Sequence, residues 1–93
     1  MLDIDLLAML KTDLGITAKA YDERLMQYLQ AAKAEITREG ITLLDTIDDN
    51  QLVVMYAAWS WRKRDTGEGM PRMLRYALNN RLFSEKMRTD ADG

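Results

Sequence analysis

The stretch that decides the fold is residues 52–61, which read Leu52-Val53-Val54-Met55-Tyr56-Ala57-Ala58-Trp59-Ser60-Trp61. Nine of these ten residues are apolar or aromatic, so a helix formed here is apolar around nearly its whole circumference. Such a helix lies at the centre of a domain or is covered by another subunit. Because residues two apart on a helix point about 200° apart, Trp59 and Trp61 cannot both point inward. We therefore expect one of them to meet a partner.

A capping pattern predicts where this central helix begins. Asp48 as N-cap and Gln51 at the third helical position resemble a capping box, and Ile47 with Leu52 supplies a hydrophobic staple. Capping also accounts for Asp48-Asp49-Asn50 better than a calcium loop does, since the glycine and the distal glutamate of such a loop are missing.

Two helices are predicted before the central one. The first runs from about Asp3 to Leu14, with Asp3 as N-cap, Leu2 stapled onto Leu7 and Gly15 as its end. The second covers residues 18–39 and ends at Gly40. Its apolar positions follow a strict helical spacing that suits packing against one neighbouring helix: Leu25, Leu29, Ala32 and Ile36. Residues 41–47 are predicted to form a loop.

A fourth helix follows the turn Gly67-Glu68-Gly69, which lacks the lysine of a phosphate-binding loop. Pro71 suits the first helical position, and the helix is expected to reach about Met87. Its inward residues are predicted to be Leu74, Ala77, Leu78 and Leu82. The sequence thus predicts an all-α protein, a single-domain bundle of about four helices over residues 1–93, with 88–93 as a frayed tail.

Composition excludes much chemistry. The 93 residues include no cysteine and no histidine, which rules out disulfides, cysteine nucleophiles and the commonest general base and zinc ligand. We therefore predict no catalytic, cofactor-binding or metal-binding residues, and a protein that is not an enzyme. No apolar run approaches the roughly 18 residues of a membrane span, and the acidic N-terminus lacks the basic region of a signal peptide, so synthesis in the cytosol is expected.

Charge is divided along the chain. Residues 1–51 hold five basic and ten acidic side chains, whereas residues 52–88 hold eight basic and three acidic ones. These charges could simply solvate the outer faces of helices, or they could make a protomer with two oppositely charged ends. The second interpretation gives a set of residues for an interface with another subunit or another protein: Trp61, Arg62, Arg64, Arg72, Arg75, Arg81, Glu35 and Glu39.

The order of several short motifs resembles the small head-tail connector proteins, also called adaptor or DNA-packaging proteins, of long-tailed bacteriophages and prophages. The motifs are Leu14-Gly15-Ile16, Tyr21-Asp22-Glu23-Arg24-Leu25, Leu29-Gln30-Ala31-Ala32-Lys33, Ile36, Glu39-Gly40-Ile41, Tyr56-Ala57-Ala58-Trp59, Arg62-Lys63-Arg64-Asp65 and Met70-Pro71-Arg72-Met73-Leu74-Arg75-Tyr76-Ala77-Leu78-Asn79-Asn80-Arg81-Leu82-Phe83. The resemblance covers nearly the whole chain. One departure is the short linker after Gly40, which leaves little room for a long docking loop.

The resemblance implies a structural virion protein at the head-tail junction, assembled in the host bacterial cytoplasm. It implies a homo-oligomeric ring, a dodecamer, that binds the portal protein, extends the DNA channel, completes the head after packaging and offers a docking site to the stopper or tail completion protein. Contact with passing DNA would be transient and non-specific, and no membrane is involved. The arginines of the fourth helix would either line the channel or pair with acidic residues of the adjoining subunit.

The alternative is a stand-alone helical DNA-binding module. In that interpretation the fourth helix reads the DNA and Arg62-Lys63-Arg64 contacts phosphates. The overall acidity of the chain and the length of the turn before the fourth helix count against it.

Overall fold

The computed structural model describes the backbone of residues 2–92 and the side chains of residues 2–88. Within that part of the chain all regular structure is helical, which confirms the predicted all-α fold class. A 3-10 turn at Lys19–Tyr21 precedes the second helix. The α-helices are α1 (Asp3–Leu14), α2 (Asp22–Arg38), α3 (Ile47–Thr66) and α4 (Arg72–Asp92).

Helix α3 forms the centre of the bundle and contacts the other three helices. Its buried apolar residues point in several directions around the helix, as predicted: Leu52, Val53, Val54, Ala57, Ala58 and Trp59. On one side of it, α1 and α2 form an antiparallel pair. Ion pairs mark both ends of that pair, Lys11 with Asp22 at 2.6 Å and Lys33 with Asp3 at 2.7 Å.

The predicted apolar stripe of α2 is confirmed, because Leu25, Leu29, Ala32 and Ile36 are all buried. The helix itself begins at Asp22 rather than at residue 18, since the 3-10 turn occupies the preceding residues. Gly15 ends α1 as predicted. Its φ of 69° lies in the left-handed region, and its N–H donates to the carbonyls of Lys11 and Thr12.

The predicted N-caps of α1 and α3 are wrong. Asp3 lies inside α1 and contacts Lys33, while Leu2 is 70% exposed and staples nothing. At α3 the cap is Thr46, whose Oγ1 accepts a hydrogen bond from the Asp49 N–H at 3.2 Å. Asp48 lies within the first helical turn, where its charge still favours the positive end of the helix dipole.

The staple predicted at α3 is also absent, because Ile47 is the first residue of the helix and is 74% exposed. The prediction failed by two residues. Thr46 and Asp49 form a capping pattern of their own that overlaps the pattern of Asp48 and Gln51, and the local sequence does not choose between them.

Helix α4 begins one residue later than predicted, after Pro71, whose carbonyl accepts the N–H of Arg75. Leu74 and Leu78 are buried, and the helical backbone extends beyond Met87 to Asp92. Of the predicted frayed tail, residues 88–92 therefore continue α4, while Gly93 and the side chains after residue 88 lie outside the described part of the chain.

Residues 39–46 form the loop between α2 and α3, and α4 packs over it. Ile41 is buried, and Leu82 of α4 comes within 3.5 Å of where a Cβ on Gly40 would lie. Among residues 2–92 there is no helix with the length and apolarity needed to cross a membrane.

Candidate interaction surfaces

Trp61 is held by aromatic contacts within its own chain. Its ring lies 5.4 Å from that of Tyr28 and 6.0 Å from that of Tyr21, both in edge-on geometry. The guanidinium carbon of Arg64 lies 3.9 Å from the Trp61 ring centroid. Such cation–π contacts hold an exposed arginine against a ring face. A partner approaching this site would meet Arg64 before it met the indole.

Trp59, two residues earlier, points inward and forms a hydrogen bond to the turn after α3. It is buried, its ring packs edge-on against Tyr56 at 5.4 Å, and its Nε1–H donates to the carbonyl of Glu68 at 3.3 Å. Lys63 lies over the same ring at 4.1 Å. The opposed directions predicted for the two tryptophans agree with this arrangement.

Basic side chains outnumber the two carboxylates, Asp65 and Glu68, at the end of α3 and the start of α4. We call Arg62, Lys63, Arg64 and Arg72 the basic end. Since α3 and α4 are antiparallel, Arg72 at the start of α4 lies at the same end of the hairpin. Arg62 and Arg72 are exposed and have no ion pair in the described part of the chain. Arg64 has one exposed partner, Asp65 at 3.6 Å. Exposed pairs of this kind contribute little, so the basic end is open to an anionic partner.

Glu35 and Glu39, predicted to meet arginines of another subunit, have partners in their own chain. Glu39 accepts from Arg75 at 3.3 Å, which links α2 to the first turn of α4. Glu35 pairs with Arg38 one turn along α2 at 2.9 Å. Tyr56 lies near both carboxylates, and its pKa is raised above 10.0, first by burial and then by these two charges.

Arg81 differs most from its predicted place at an interface. Its Nε donates to Asp49 at 2.7 Å, its Nη1 to Glu85 at 3.1 Å and its Nη2 to the carbonyl of Thr42 at 2.7 Å. Asp49 also accepts from the backbone N–H of Leu44 at 2.8 Å. Together these contacts form a clamp, Thr42, Asp49, Arg81 and Glu85, that fastens α4 to the α2–α3 loop and to the first turn of α3.

The clamp strongly perturbs Glu85. Hydrogen bonds from Thr42 and Arg81 and the charge of Arg88 lower its pKa to about 2, although burial opposes this. The pKa of Arg81 is raised, mainly by the hydrogen bond to Asp49. Both groups are thus held in their charged forms. A guanidinium bound this fully by its own chain presents little to an adjoining subunit.

Sequence reasoning missed the clamp. The spacing of Arg81 and Glu85 by four residues on a predicted helix was a usable signal for that one pair. Nothing in the sequence connects them to Asp49 or Thr42, because these are distant in the chain and meet only when α4 folds back along α3.

A third surface is the outward face of α4. Large apolar side chains are exposed there, between 56% and 73%, at Met73, Tyr76, Phe83 and Met87. Asn80 lies between them and is also exposed. We call these five residues the α4 seam. A stripe of four exposed large apolar side chains, interrupted by one asparagine, is a candidate interaction surface.

The eight residues predicted for an interface therefore divide into three groups. Trp61, Arg62 and Arg64 lie in the last turns of α3, and Arg72 begins α4 at the same end of the hairpin. Arg75 joins Glu39 beside Glu35, and Arg81 lies apart in the clamp. Comparisons of the chain with protein-family models, with curated proteins and with solved structures found no match.

Proposed function

We propose that this protein is a structural, non-enzymatic protein that assembles into an oligomeric ring. The ring would lie between the portal and the stopper or tail of a long-tailed bacteriophage or prophage, extending the DNA channel. The resemblance of its ordered motifs to the head-tail connectors supports the location. The small all-α domain is compatible with it.

The observation that carries the proposal is the separation of unpaired charge. Arg62 and Arg72 at the basic end lack ion pairs in the described part of the chain. Exposed carboxylates such as Asp5, Asp13 and Asp48 lie on other surfaces. A ring needs two different complementary faces on each copy, because head-to-tail contacts close when the rotation permits. Opposite charges on separate faces favour such contacts and steer their formation.

The arginine reversals that test this proposal must spare the clamp. Arg81→Glu would put a third carboxylate beside Asp49 and Glu85 and damage the fold. Arg62→Glu changes the basic end alone. Arg38→Glu is the control for a charge reversal elsewhere, since Arg38 is an exposed arginine of α2 that is not one of the four residues of the basic end.

The test uses native mass spectrometry and sedimentation of the full chain, with and without a portal protein. We expect the wild-type chain and Arg38→Glu to form rings, at least on the portal. Arg62→Glu should shift the protein toward smaller species, because one reversal is repeated at every contact of a ring. Absence of rings from the wild-type chain under both conditions would overturn the proposal.

The alternative, a DNA-binding module, draws on the basic end, where arginines surround an aromatic residue. The outward face of α4 argues against it, since four of its five residues, Met73, Tyr76, Phe83 and Met87, are large and apolar, and only Asn80 could read a base edge. Fluorescence anisotropy with duplex DNA at low and moderate salt distinguishes the two. We expect only salt-sensitive binding in the roughly 10⁻⁴–10⁻⁶ M range of non-specific complexes. Nanomolar, sequence-specific binding would support the alternative.

A further inference from the structure

The α4 seam has the spacing of a coiled-coil interface. Met73, Tyr76, Asn80, Phe83 and Met87 follow intervals of three, four, three and four residues, which are the a and d positions of two heptads. At 100° per residue they fall within an arc of about 80°. The core residues of α4, Leu74 and Leu78, lie on the roughly opposite side, so the seam takes no part in the protomer's core.

The occupant of this seam must present a matching stripe, because a 3.5-residue repeat packs continuously only along another helix with the same repeat. Helices α1, α2 and α3 direct their apolar stripes into the core. The other exposed large apolar residues of the described chain form no heptad stripe along one helix: Leu2, Ile4, Tyr21, Leu44 and Ile47. The matching helix in this protein is therefore the α4 of a second copy.

Charge beside the seam determines how two copies align. On one side, at the heptad g positions, lie Arg72, Asn79 and Lys86. On the other side, at the e positions, Ala77 and Ser84 border a groove that includes the exposed Asp48 of α3. In a parallel pair each g side faces the partner's e side, so Arg72 and Lys86 of one copy face the groove with Asp48 of the other, where Arg81 already neutralises Asp49. An antiparallel pair would place g against g, and Arg72 would face a second copy's Lys86.

Asn80 strengthens the argument for a specific register. In a parallel pair aligned without offset, two copies of Asn80 meet at the same height. Each amide offers both a donor and an acceptor to the other. A single asparagine at an a position lowers affinity but fixes the register and number of helices.

We propose that two copies of this protein pair through the α4 seam as a parallel, two-fold symmetric helical dimer. The pairing uses the same face of each copy and closes on itself. It thus differs in symmetry from the contact of a ring and does not depend on the function proposed above, although Arg72 and Asp48 lie beside both contacts. Any assembly that used the seam otherwise would first have to separate this dimer.

The absence of cysteine from the sequence makes a direct test possible. Met73→Cys and Met87→Cys place one thiol at each end of the seam, and Ala31→Cys, on the exposed face of α2, is the control. Under mild oxidation of the free protein, a parallel dimer joins Met73→Cys to itself and Met87→Cys to itself. An antiparallel dimer joins the two variants only when they are mixed.

We expect both single variants to cross-link well above the Ala31→Cys control. Cross-linking only in the mixture would overturn the parallel pairing, and cross-linking no greater than the control would overturn the dimer. Either result is independent of the Arg62→Glu ring test, because that variant leaves the seam unchanged.

A second measurement checks the seam without oxidation. Phe83→Glu introduces a charge at a central d position that is 64% exposed in the protomer, so helix content by circular dichroism should not change. Sedimentation equilibrium should show a dimer dissociation constant weakened about tenfold or more, whereas Ala31→Glu should leave it unchanged. Equal dissociation constants for wild type and Phe83→Glu would overturn the proposal.

Discussion

Helices α3 and α4 have nearly the same length, 20 and 21 residues, and run antiparallel as neighbours. They differ in how much of their apolar surface is buried. Helix α3 contacts three other helices and buries apolar residues on several sides. Helix α4 packs on one side only and leaves the α4 seam exposed. Burial in this protein is therefore set by where a helix lies in the bundle as much as by its own composition.

The two helices also differ in what holds them. Packing of apolar side chains fixes α3, whereas the second half of α4 depends on the clamp around Arg81. We therefore expect truncation of buried side chains in α3 to destabilise the protein strongly. In α4, loss of charge on the core side should be destabilising, whereas substitutions in the α4 seam should have little effect on the stability of the protomer.

The largest effect is expected in α3. Trp59→Ala removes a buried ring and the hydrogen bond to Glu68, and should cost roughly 3–5 kcal/mol of the free energy of unfolding. That is a large part of the stability of a small domain. Urea denaturation followed by circular dichroism measures the loss. Trp61→Ala, at a half-buried site, should cost less of the free energy of unfolding. Equal losses for the two variants would show that Trp59 contributes no more to the core than Trp61 does.

The next largest effect concerns the clamp. Arg81→Met leaves the buried Asp49 carboxylate without its main partner and should cost about 3 kcal/mol. The control is Arg88→Met, which removes a half-exposed arginine from the edge of the same network and should cost less than about 1 kcal/mol. Hydrogen exchange of the α4 amides should rise for Arg81→Met. If both variants lost the same stability, packing rather than the clamp would be holding α4.

Acid should test the same clamp. The folded pKa of Glu85, about 2, lies below its ordinary value of 4.5, so its stabilising contribution is complete above about pH 4.5 and is lost as the pH falls toward 2. The melting temperature of Glu85→Gln should therefore fall less than that of the wild type across this interval. Glu23→Gln, at an exposed site on α2, should follow the wild type. If the melting temperatures of Glu85→Gln and the wild type fell in parallel with pH, the lowered pKa of Glu85 would be contradicted.

A smaller effect is expected at the start of α3. Thr46→Ala removes the side-chain cap of the Asp49 N–H and should cost about 1 kcal/mol. Asp48→Asn should cost only about 0.3 kcal/mol, because it weakens a dipole interaction without removing a cap. Denaturant midpoints of the two variants show which residue caps α3. A larger loss of stability for Asp48→Asn than for Thr46→Ala would indicate that Asp48 is the N-cap, as the sequence predicted.

The smallest effect on the protomer is expected on the outer side of α4. Phe83→Ala changes a large apolar residue but should alter the free energy of unfolding by no more than about 0.5 kcal/mol when measured on dilute protein. Differential scanning fluorimetry over a range of protein concentrations separates this from any effect on self-association. A loss comparable with that of Trp59→Ala would mean that the seam belongs to the core.

Much of the fold was predictable because local patterns dominate it. The stripe of Leu25, Leu29, Ala32 and Ile36, the continuous apolar run of α3 and the stop at Gly15 each carry their signal within a few residues. The predicted N-cap of α3 was wrong because a local pattern was ambiguous there. Two capping patterns overlap within six residues, and the short-range sequence does not select between them.

The surfaces were less predictable because they depend on contacts between distant residues. Arg81 comes seven residues after Leu74 and three after Leu78, on the core side of the predicted helix, but only the folded chain shows that Asp49 is its partner. Arg62 and Arg72 have no ion pair among the described residues. The sequence shows which residues carry charge, but the tertiary fold determines which of those charges form ion pairs.

The placement of both tryptophans in the last turns of α3 determines what fluorescence can report. Trp59 is bonded to the turn before α4, and Trp61 lies beneath Arg64, so indole emission senses that end of the molecule and any ligand that displaces the arginine. The clamped half of α4 contains no indole. Release of this half from the α2–α3 loop would be silent in tryptophan emission but visible in amide exchange. Comparing the two signals during unfolding would measure how independently that half of the helix detaches.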